Sequence, residues 1–124
     1  MGMYTELIIK CCIKRAAPAK VLEILQFLFG NEEQYDPVDL PDHPFFKCER
    51  WMAIGNCDSH YHVPAVLNYY KDTQLFSRSD LKNYGDEIGQ FLDWLNPYIV
   101  GEQGACIGWV WYEEWDEPEL IYKK

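Results

Sequence analysis

The chain has 124 residues, of which 48% are hydrophobic and 25% charged, a composition typical of a globular domain that buries its own core. Twenty acidic against eleven basic side chains give a formal net charge of -9, which disfavours binding to a phosphate backbone. No stretch approaches the length of apolar sequence that a membrane-spanning helix needs. We therefore expect one domain over residues 1–124, with no direct nucleic-acid or membrane partner.

The cysteines and the N-terminus indicate a reduced environment. The five cysteines are odd in number and irregularly spaced, which is not the pattern of a disulfide framework: Cys11, Cys12, Cys48, Cys57 and Cys106. The first residues lack the basic region, apolar run and cleavage site of a signal peptide. We expect a cytoplasmic protein.

The first half of the chain predicts a strand, a helix and an acidic loop. Residues 4–14 alternate between apolar and polar side chains, which predicts a strand with one buried face. Residues 17–29 carry apolar side chains at helical spacing, with Pro18 near the start and Gly30 at the end. Residues 31–44 hold three prolines and five carboxylates, which predicts a long loop.

The middle of the chain predicts three strands and a second helix. Residues 45–54 are rich in aromatic and apolar side chains and predict a strand. Residues 66–71 and 75–82 predict a hairpin. Residues 83–99 predict an amphipathic helix, and Pro97 should kink or shorten its last turn.

The end of the chain completes the predicted fold. Residues 105–113 and 120–122 predict a last hairpin around an acidic turn. The order β-α-β-β-β-α-β-β predicts an α+β fold in which two helices cover one face of a mainly antiparallel sheet, in a ferredoxin-like arrangement. The predicted common core is Leu7, Ile9, Val21, Leu25, Ile88, Phe91, Leu92 and Leu95.

Three segments carry a resemblance to known proteins. They are Asp80–Tyr84, the stretch from Ile88 to Ile99, and the ending Tyr112–Tyr122, with its sequence Tyr-Glu-Glu and Glu-Pro-Glu-Leu-Ile-Tyr. These segments resemble a family of small uncharacterised bacterial and phage-related proteins. The resemblance covers the C-terminal third and, loosely, the N-terminal half. It implies one compact domain and supplies no catalytic residues.

The segment Cys57-Asp58-Ser59-His60-Tyr61-His62 holds the residue types that metal sites and thiol nucleophiles use. Cys57, His60 and His62 could contribute three zinc ligands, and Cys57 with a histidine base could form a nucleophilic pair. The spacing matches no zinc pattern, and no signature of an oxyanion hole accompanies it. We expect a polar surface turn that binds no metal or other cofactor, and keep the metal site as an alternative.

The last hairpin is the candidate interaction surface. Trp109 and Trp111 share one face of the predicted strand, and large aromatic side chains on an open sheet face are often covered by a partner chain. The turn that follows carries five carboxylates, which we expect to lie in solvent: Glu113, Glu114, Asp116, Glu117 and Glu119.

Three functions remain open on the sequence. The common nucleotide-binding and hydrolase motifs are absent, which favours a non-catalytic protein-interaction domain, self-associating as a homodimer or other homo-oligomer. The two acidic runs, residues 31–44 and 113–119, could instead imitate DNA phosphates and inhibit a nucleic-acid-binding enzyme, as a phage inhibitor would. The third hypothesis is a small metal-dependent enzyme that uses Cys57, His60 and His62.

Overall fold

The fold is α+β and is built on one antiparallel sheet. A computed structural model describes residues 4–30, 37, 39–55, 65–69 and 72–124. The elements are β1 (Thr5–Ile13), α1 (Ala19–Phe29), β2 (Val66–Tyr69), β3 (Thr73–Leu81), α2 (Glu87–Leu95), β4 (Cys106–Tyr112) and β5 (Glu119–Tyr122), with short 3-10 helices at Pro44–Lys47, Trp51–Ala53 and Asn96–Tyr98. The predicted elements around β1, both helices and both hairpins are confirmed, with boundaries that differ by a few residues.

The sheet has the order β2-β3-β1-β4-β5, and every neighbouring pair is antiparallel. β1 lies at its centre and pairs along its whole length with β3 and over its first half with β4. The central strand β1 is therefore flanked by β3, which follows α1 in the chain, and by β4, which follows α2.

The prediction of a strand over residues 45–54 is wrong. The segment instead forms two 3-10 turns, Pro44–Lys47 and Trp51–Ala53, which bury Phe45 and Trp51. Pro44 lies at the start of the first turn, where its missing N–H costs nothing, and the His43 Nδ1 accepts the Phe45 N–H at 3.1 Å. The aromatic residues that suggested a strand instead face the helix layer, so the described part of the sheet has five strands.

One hydrophobic core joins the helices to one face of the sheet. It contains the inward side chains of α1 and α2 together with the odd-numbered side chains of β1 and β3. Seven of the eight predicted core residues are buried in it. Leu92 is the exception, since it is only half-buried at the edge of the core and lines a groove beside β5.

The start of α2 is held by a buried carboxylate. The helix begins at Glu87 rather than at residue 83, and a 3-10 turn containing Pro97 ends it, as the proline predicted. Glu87 is fully buried and accepts the Gly85 N–H at 2.9 Å and the Arg50 N–H at 3.3 Å. Its side chain therefore ties the second 3-10 turn to the helix.

We expect Glu87→Ala to lower the free energy of unfolding by about 1–3 kcal/mol, because it removes a buried side chain that accepts hydrogen bonds from the Gly85 and Arg50 N–H groups. Urea denaturation followed by circular dichroism measures the loss. Glu23→Ala, on the exposed side of α1, is the matched control and should change stability by less than about 0.5 kcal/mol. Equal losses in the two variants would contradict the role of Glu87.

Candidate functional site

The two helices pack on one face of the sheet, and neither of these described helices lies on the opposite face. Even-numbered residues of β1 and β3 point to this side, which we call the open face. It carries large apolar side chains that remain in solvent, including Phe76 on β3, Trp111 on β4 and Leu120 on β5. Residues 39–44 of the acidic loop do not cover it, since His43 contacts Asp93 of α2 at 2.9 Å on the helix side. Residues 31–36 and 38 lie outside the described chain.

A charged cluster occupies the centre of the open face. Glu6 on β1 lies directly opposite Asp80 on β3, and two carboxylates in that position repel each other. Arg78 offsets the repulsion, with its Nε 2.7 Å from the Glu6 Oε2 and an Nη 3.7 Å from an Asp80 oxygen. The second Glu6 oxygen accepts the indole N–H of Trp109 at 3.0 Å. Glu6 is therefore held on both oxygens.

The turn after β4 folds back over this cluster. The Trp111 indole donates to the carbonyl oxygen of Trp115 at 2.9 Å, and the Trp115 N–H donates to the carbonyl of Tyr112 at 2.9 Å. The Tyr4 N–H donates to a Glu113 carboxylate oxygen at 3.1 Å, and the Glu113 N–H donates to the Tyr4 carbonyl at 3.2 Å. These bonds fix the Trp111 ring, the backbone of Trp115 and the Glu113 carboxylate beside the first strand.

Together these residues enclose a cleft of about 450 Å³, which we call the open-face cleft. Its lining is Tyr4, Glu6, Arg78, Asp80, Trp111, Glu113 and Trp115. Among the described lining residues, three carboxylates stand against one guanidinium, which gives this part of the lining a formal charge of -2. A cleft of this size, with aromatic walls and a few fixed polar groups, has the character of a binding site.

Negative charge extends from the cleft into the turn. Glu114, Asp116, Glu117 and Glu119 are exposed, as is Glu113. Local desolvation and then the neighbouring Glu114 and Glu113 carboxylates raise the pKa of the Tyr112 phenol, so this side chain stays neutral at ordinary pH. The side of the domain around the turn therefore presents a negative potential.

The structure gathers some of the predicted interaction residues and separates others. Trp111 and Glu113 line the open-face cleft, and Trp109 supports it through Glu6. Glu114, Asp116 and Glu117 lie in the exposed turn and do not line the cleft.

The predicted metal site cannot be placed. Cys57, His60 and His62 all lie outside the described residues, so the absence of a metal site stays a prediction. Within the described ranges, no group of three histidine, cysteine, aspartate or glutamate side chains is arranged to hold a metal ion.

The sequence did not single out Glu6, Arg78 or Asp80. Each lies on the polar side of a strand, where charged residues are ordinary. The signal that could have found them is strand register, since Glu6 pairs with both Asp80 and Trp111. Strand register pairs residues that are far apart in the chain, and it cannot be read from a single sequence.

Two of the described thiols have a pKa above the ordinary value. Burial, and secondarily Cys12, raises the pKa of the Cys11 thiol to about 12, so it carries almost no thiolate at neutral pH. Burial followed by the Glu87 and Asp86 carboxylates raises the pKa of Cys48, whose sulfur donates to the Gly85 carbonyl at 3.4 Å.

Comparison with known proteins adds no function. No protein-family model matches the chain, and neither a curated protein sequence nor a solved structure matches it. The resemblance to small bacterial and phage-related proteins therefore stays a prediction. In the part of the chain that the structure describes, no helix is long and apolar enough to cross a membrane.

Proposed function

We propose that this chain is a non-catalytic protein-binding domain, that the open face is its binding surface, and that its partner is a basic protein segment. The observation that carries the proposal is the combination of uncovered apolar side chains and a negatively charged cleft on one sheet face. Exposed apolar surface beside polar groups is characteristic of protein contact surfaces.

Charge selects the class of partner. The chain has a net charge of -9, and the described lining residues of the cleft have a formal charge of -2. A basic segment is attracted to this surface from a distance, and its charges are paired with these carboxylates in the complex. An acidic segment is repelled. The apolar side chains at the two sides of the cleft then supply contact area: Val66, Phe76 and Leu120.

Homodimerisation through the same face, which the sequence suggests, is the competing proposal. Two copies would bring together chains that each carry a net charge of -9, and this repulsion opposes the dimer. The salt dependence distinguishes the homodimer from binding to a basic partner. Screening strengthens contact between like-charged copies and weakens contact with a basic partner. Light scattering at low and high salt should report a monomer at both. A dimer that becomes more populated in high salt would favour self-association.

The DNA-mimic hypothesis lacks a geometric argument. Of the five carboxylates in residues 31–44, only Asp39 and Asp42 fall within the described residues, and Asp42 lies 3.4 Å from the Lys47 ammonium. Salt-sensitive recovery of nucleic-acid enzymes in a pull-down, lost when the 113–119 carboxylates are neutralised, would favour the mimic over our proposal.

Binding of labelled protein to an array of synthetic twelve-residue peptides, graded in charge and apolar content, tests the proposal. We expect binding to peptides that are both basic and apolar, and loss of binding in Leu120→Ser. Met52→Ser is the matched control, because Met52 is 47% exposed against 49% for Leu120 but lies in a 3-10 turn away from the open face. Binding that Leu120→Ser leaves unchanged, or none to any peptide, would overturn the proposal.

The ferredoxin-like classification is part of the same proposal. The first four strands and the two helices follow the order β-α-β-β-α-β, which supports it. β5 then adds a fifth strand at the β4 edge of the sheet. Of the three tryptophans at the binding surface, Trp109 and Trp111 lie on β4, and Trp115 lies in the turn that leads to the added strand.

A further inference from the structure

We infer that the partner segment binds as an added strand along the outer edge of β5 and antiparallel to it. The inference rests on the proposed function and names how the partner is held. β5 is the last strand in the order β2-β3-β1-β4-β5, so in the described sheet it has a neighbour on one side only. An unpaired strand edge offers its main-chain N–H and C=O groups to another chain.

The hydrogen bonds at the end of β5 indicate which of its main-chain groups face outwards. The Lys123 N–H donates to the Ala105 carbonyl at 2.8 Å, and the Lys123 carbonyl accepts the Gly104 N–H at 2.7 Å, so Lys123 faces the β4 side. Main-chain groups alternate in direction along an antiparallel strand. Those of Leu120 and Tyr122 therefore point away from the sheet, where no described residue binds them.

Both ends of this free edge are closed. The Lys124 N–H donates to the Asn96 Oδ1 at 3.0 Å, and the Asn96 amide donates to the Lys124 carbonyl at 3.3 Å, so this side chain binds the edge as a neighbouring strand would. At the other end, Pro118 has no N–H to offer. The N–H and C=O groups of Leu120 and Tyr122 lie between these ends and match a segment of about five extended residues.

A groove beside this edge offers contact to the side chains of an added strand. It lies between α2 and β5 and has a volume of about 660 Å³, and its apolar walls are Ile88, Leu92, Val110 and Ile121. Alternate side chains of a strand point to opposite faces of the sheet. One set of the partner's side chains would therefore face the groove, and the other set would lie beside Leu120 on the open face.

The charges at the two ends of the groove select which end of the partner is basic. Asn96 binds Lys124, so the ends of α2 and β5 meet, and the starts of both elements lie at the far end of the groove. These starts carry the Asp86 and Glu119 carboxylates, whereas Lys123 and Lys124 lie at the other end. A basic residue of the partner is attracted to the two carboxylates and repelled by the two lysines. Antiparallel pairing is slightly more stable than parallel pairing, so this basic residue follows the apolar residues in the partner's sequence.

A second copy of β5 is the alternative occupant of the edge. Two copies paired about Ile121 would place Glu119 of each chain opposite Lys123 of the other. Their like net charge of -9 opposes this dimer, as it opposes a dimer through the open face. A basic segment meets no such repulsion, and we therefore assign the edge to the partner.

The test uses N-methylation, which removes a main-chain N–H without changing a side chain. The probe is fluorescein-labelled Thr-Gln-Val-Ile-Val-Lys-Arg-amide, whose two valine N–H groups would face β5 and whose lysine would lie opposite Glu119. Binding to the full chain is followed by fluorescence anisotropy. We expect methylation of both valine nitrogens to weaken binding about tenfold or more. Methylation of the isoleucine and lysine nitrogens, which would face away from β5, is the matched control and should weaken binding less than about threefold.

Matched variants repeat the test on the protein. Tyr122→Pro removes the outward N–H together with the side chain, whereas Tyr122→Ala removes the side chain alone. We expect Tyr122→Pro to bind the unmethylated probe about tenfold more weakly than Tyr122→Ala. If Tyr122→Pro does not fold, the methylated probes decide the question on the unaltered chain. For the charge, Glu119→Gln should weaken binding about fivefold, and Glu49→Gln, at an exposed position outside the groove, should change it less than about twofold.

No binding of the unmethylated probe, or equal weakening by the two methylation patterns, would overturn the inference. A dimer that Tyr122→Pro dissociates would also overturn it, since the edge would then belong to a second copy. Failure of the proposed function gives a different result. If Leu120→Ser abolishes array binding while the two methylation patterns act equally, the partner binds the open face without joining the sheet. If the methylation patterns differ and Leu120→Ser has no effect, the edge is the binding site and the open-face proposal fails.

Discussion

Phe45→Ala is expected to lower the free energy of unfolding by about 3–5 kcal/mol, the cost of removing a large buried aromatic side chain. Phe45 is fully buried, and its ring centre lies 5.4 Å from that of Phe91, 5.8 Å from Trp51 and 5.9 Å from Trp94. The ring therefore joins the 3-10 segment to α2, and its loss leaves a cavity that rigid aromatic neighbours cannot close.

Phe76→Ala is the matched control for this prediction. Phe76 undergoes the same chemical change, but it lies partly in solvent on the open face, so its loss should cost about 1 kcal/mol or less. Urea denaturation followed by tryptophan fluorescence measures both. Phe45→Leu should give an intermediate value and serves if the alanine variant does not fold. Similar losses for Phe45→Ala and Phe76→Ala would show that the 3-10 segment is not part of the core.

Arg78→Leu is expected to destabilise the domain by about 3–5 kcal/mol, as in other buried ion pairs that lose one partner. Arg78 and Asp80 are almost fully buried, and Glu6 is mostly buried. Without the guanidinium, Glu6 and Asp80 face each other across neighbouring strands with no cation between them. The loss of stability comes from the repulsion between these two carboxylates, which water screens poorly in this position.

Lys10→Leu is the control for Arg78, because Lys10 lies on the same face of the sheet but is exposed. It removes the same charge and should change stability by less than about 1 kcal/mol. Adding Glu6→Gln and Asp80→Asn to Arg78→Leu should recover much of the loss, since it removes the repelling charges. If the triple variant is no more stable than Arg78→Leu, the guanidinium acts through packing rather than through charge.

The amphipathic segments were predictable from the sequence because their patterns are local. The alternation in residues 5–13 and the apolar spacing in α1 and α2 each follow from the geometry of a single element. The segment after Pro44 was not predictable in this way. Phe45, Phe46 and Trp51 suit a strand by propensity, but in short turns Phe45 and Phe46 pack on α2, and Trp51 packs on Phe27 of α1.

The residues of the candidate site were likewise predictable from the sequence only in part. Trp109, Trp111 and the acidic turn could be proposed from sequence, because a cluster of aromatic and acidic residues near one hairpin is visible in the chain itself. Arg78 and Asp80 could not, since their place beside Glu6 depends on pairing between strands that are more than seventy residues apart. The sequence by itself determined the composition, the charge, the helix stripes and which strand residues alternate. The tertiary structure decided which sheet face the helices cover and which charges meet on the other, because burial and strand register depend on the whole chain rather than on any one segment.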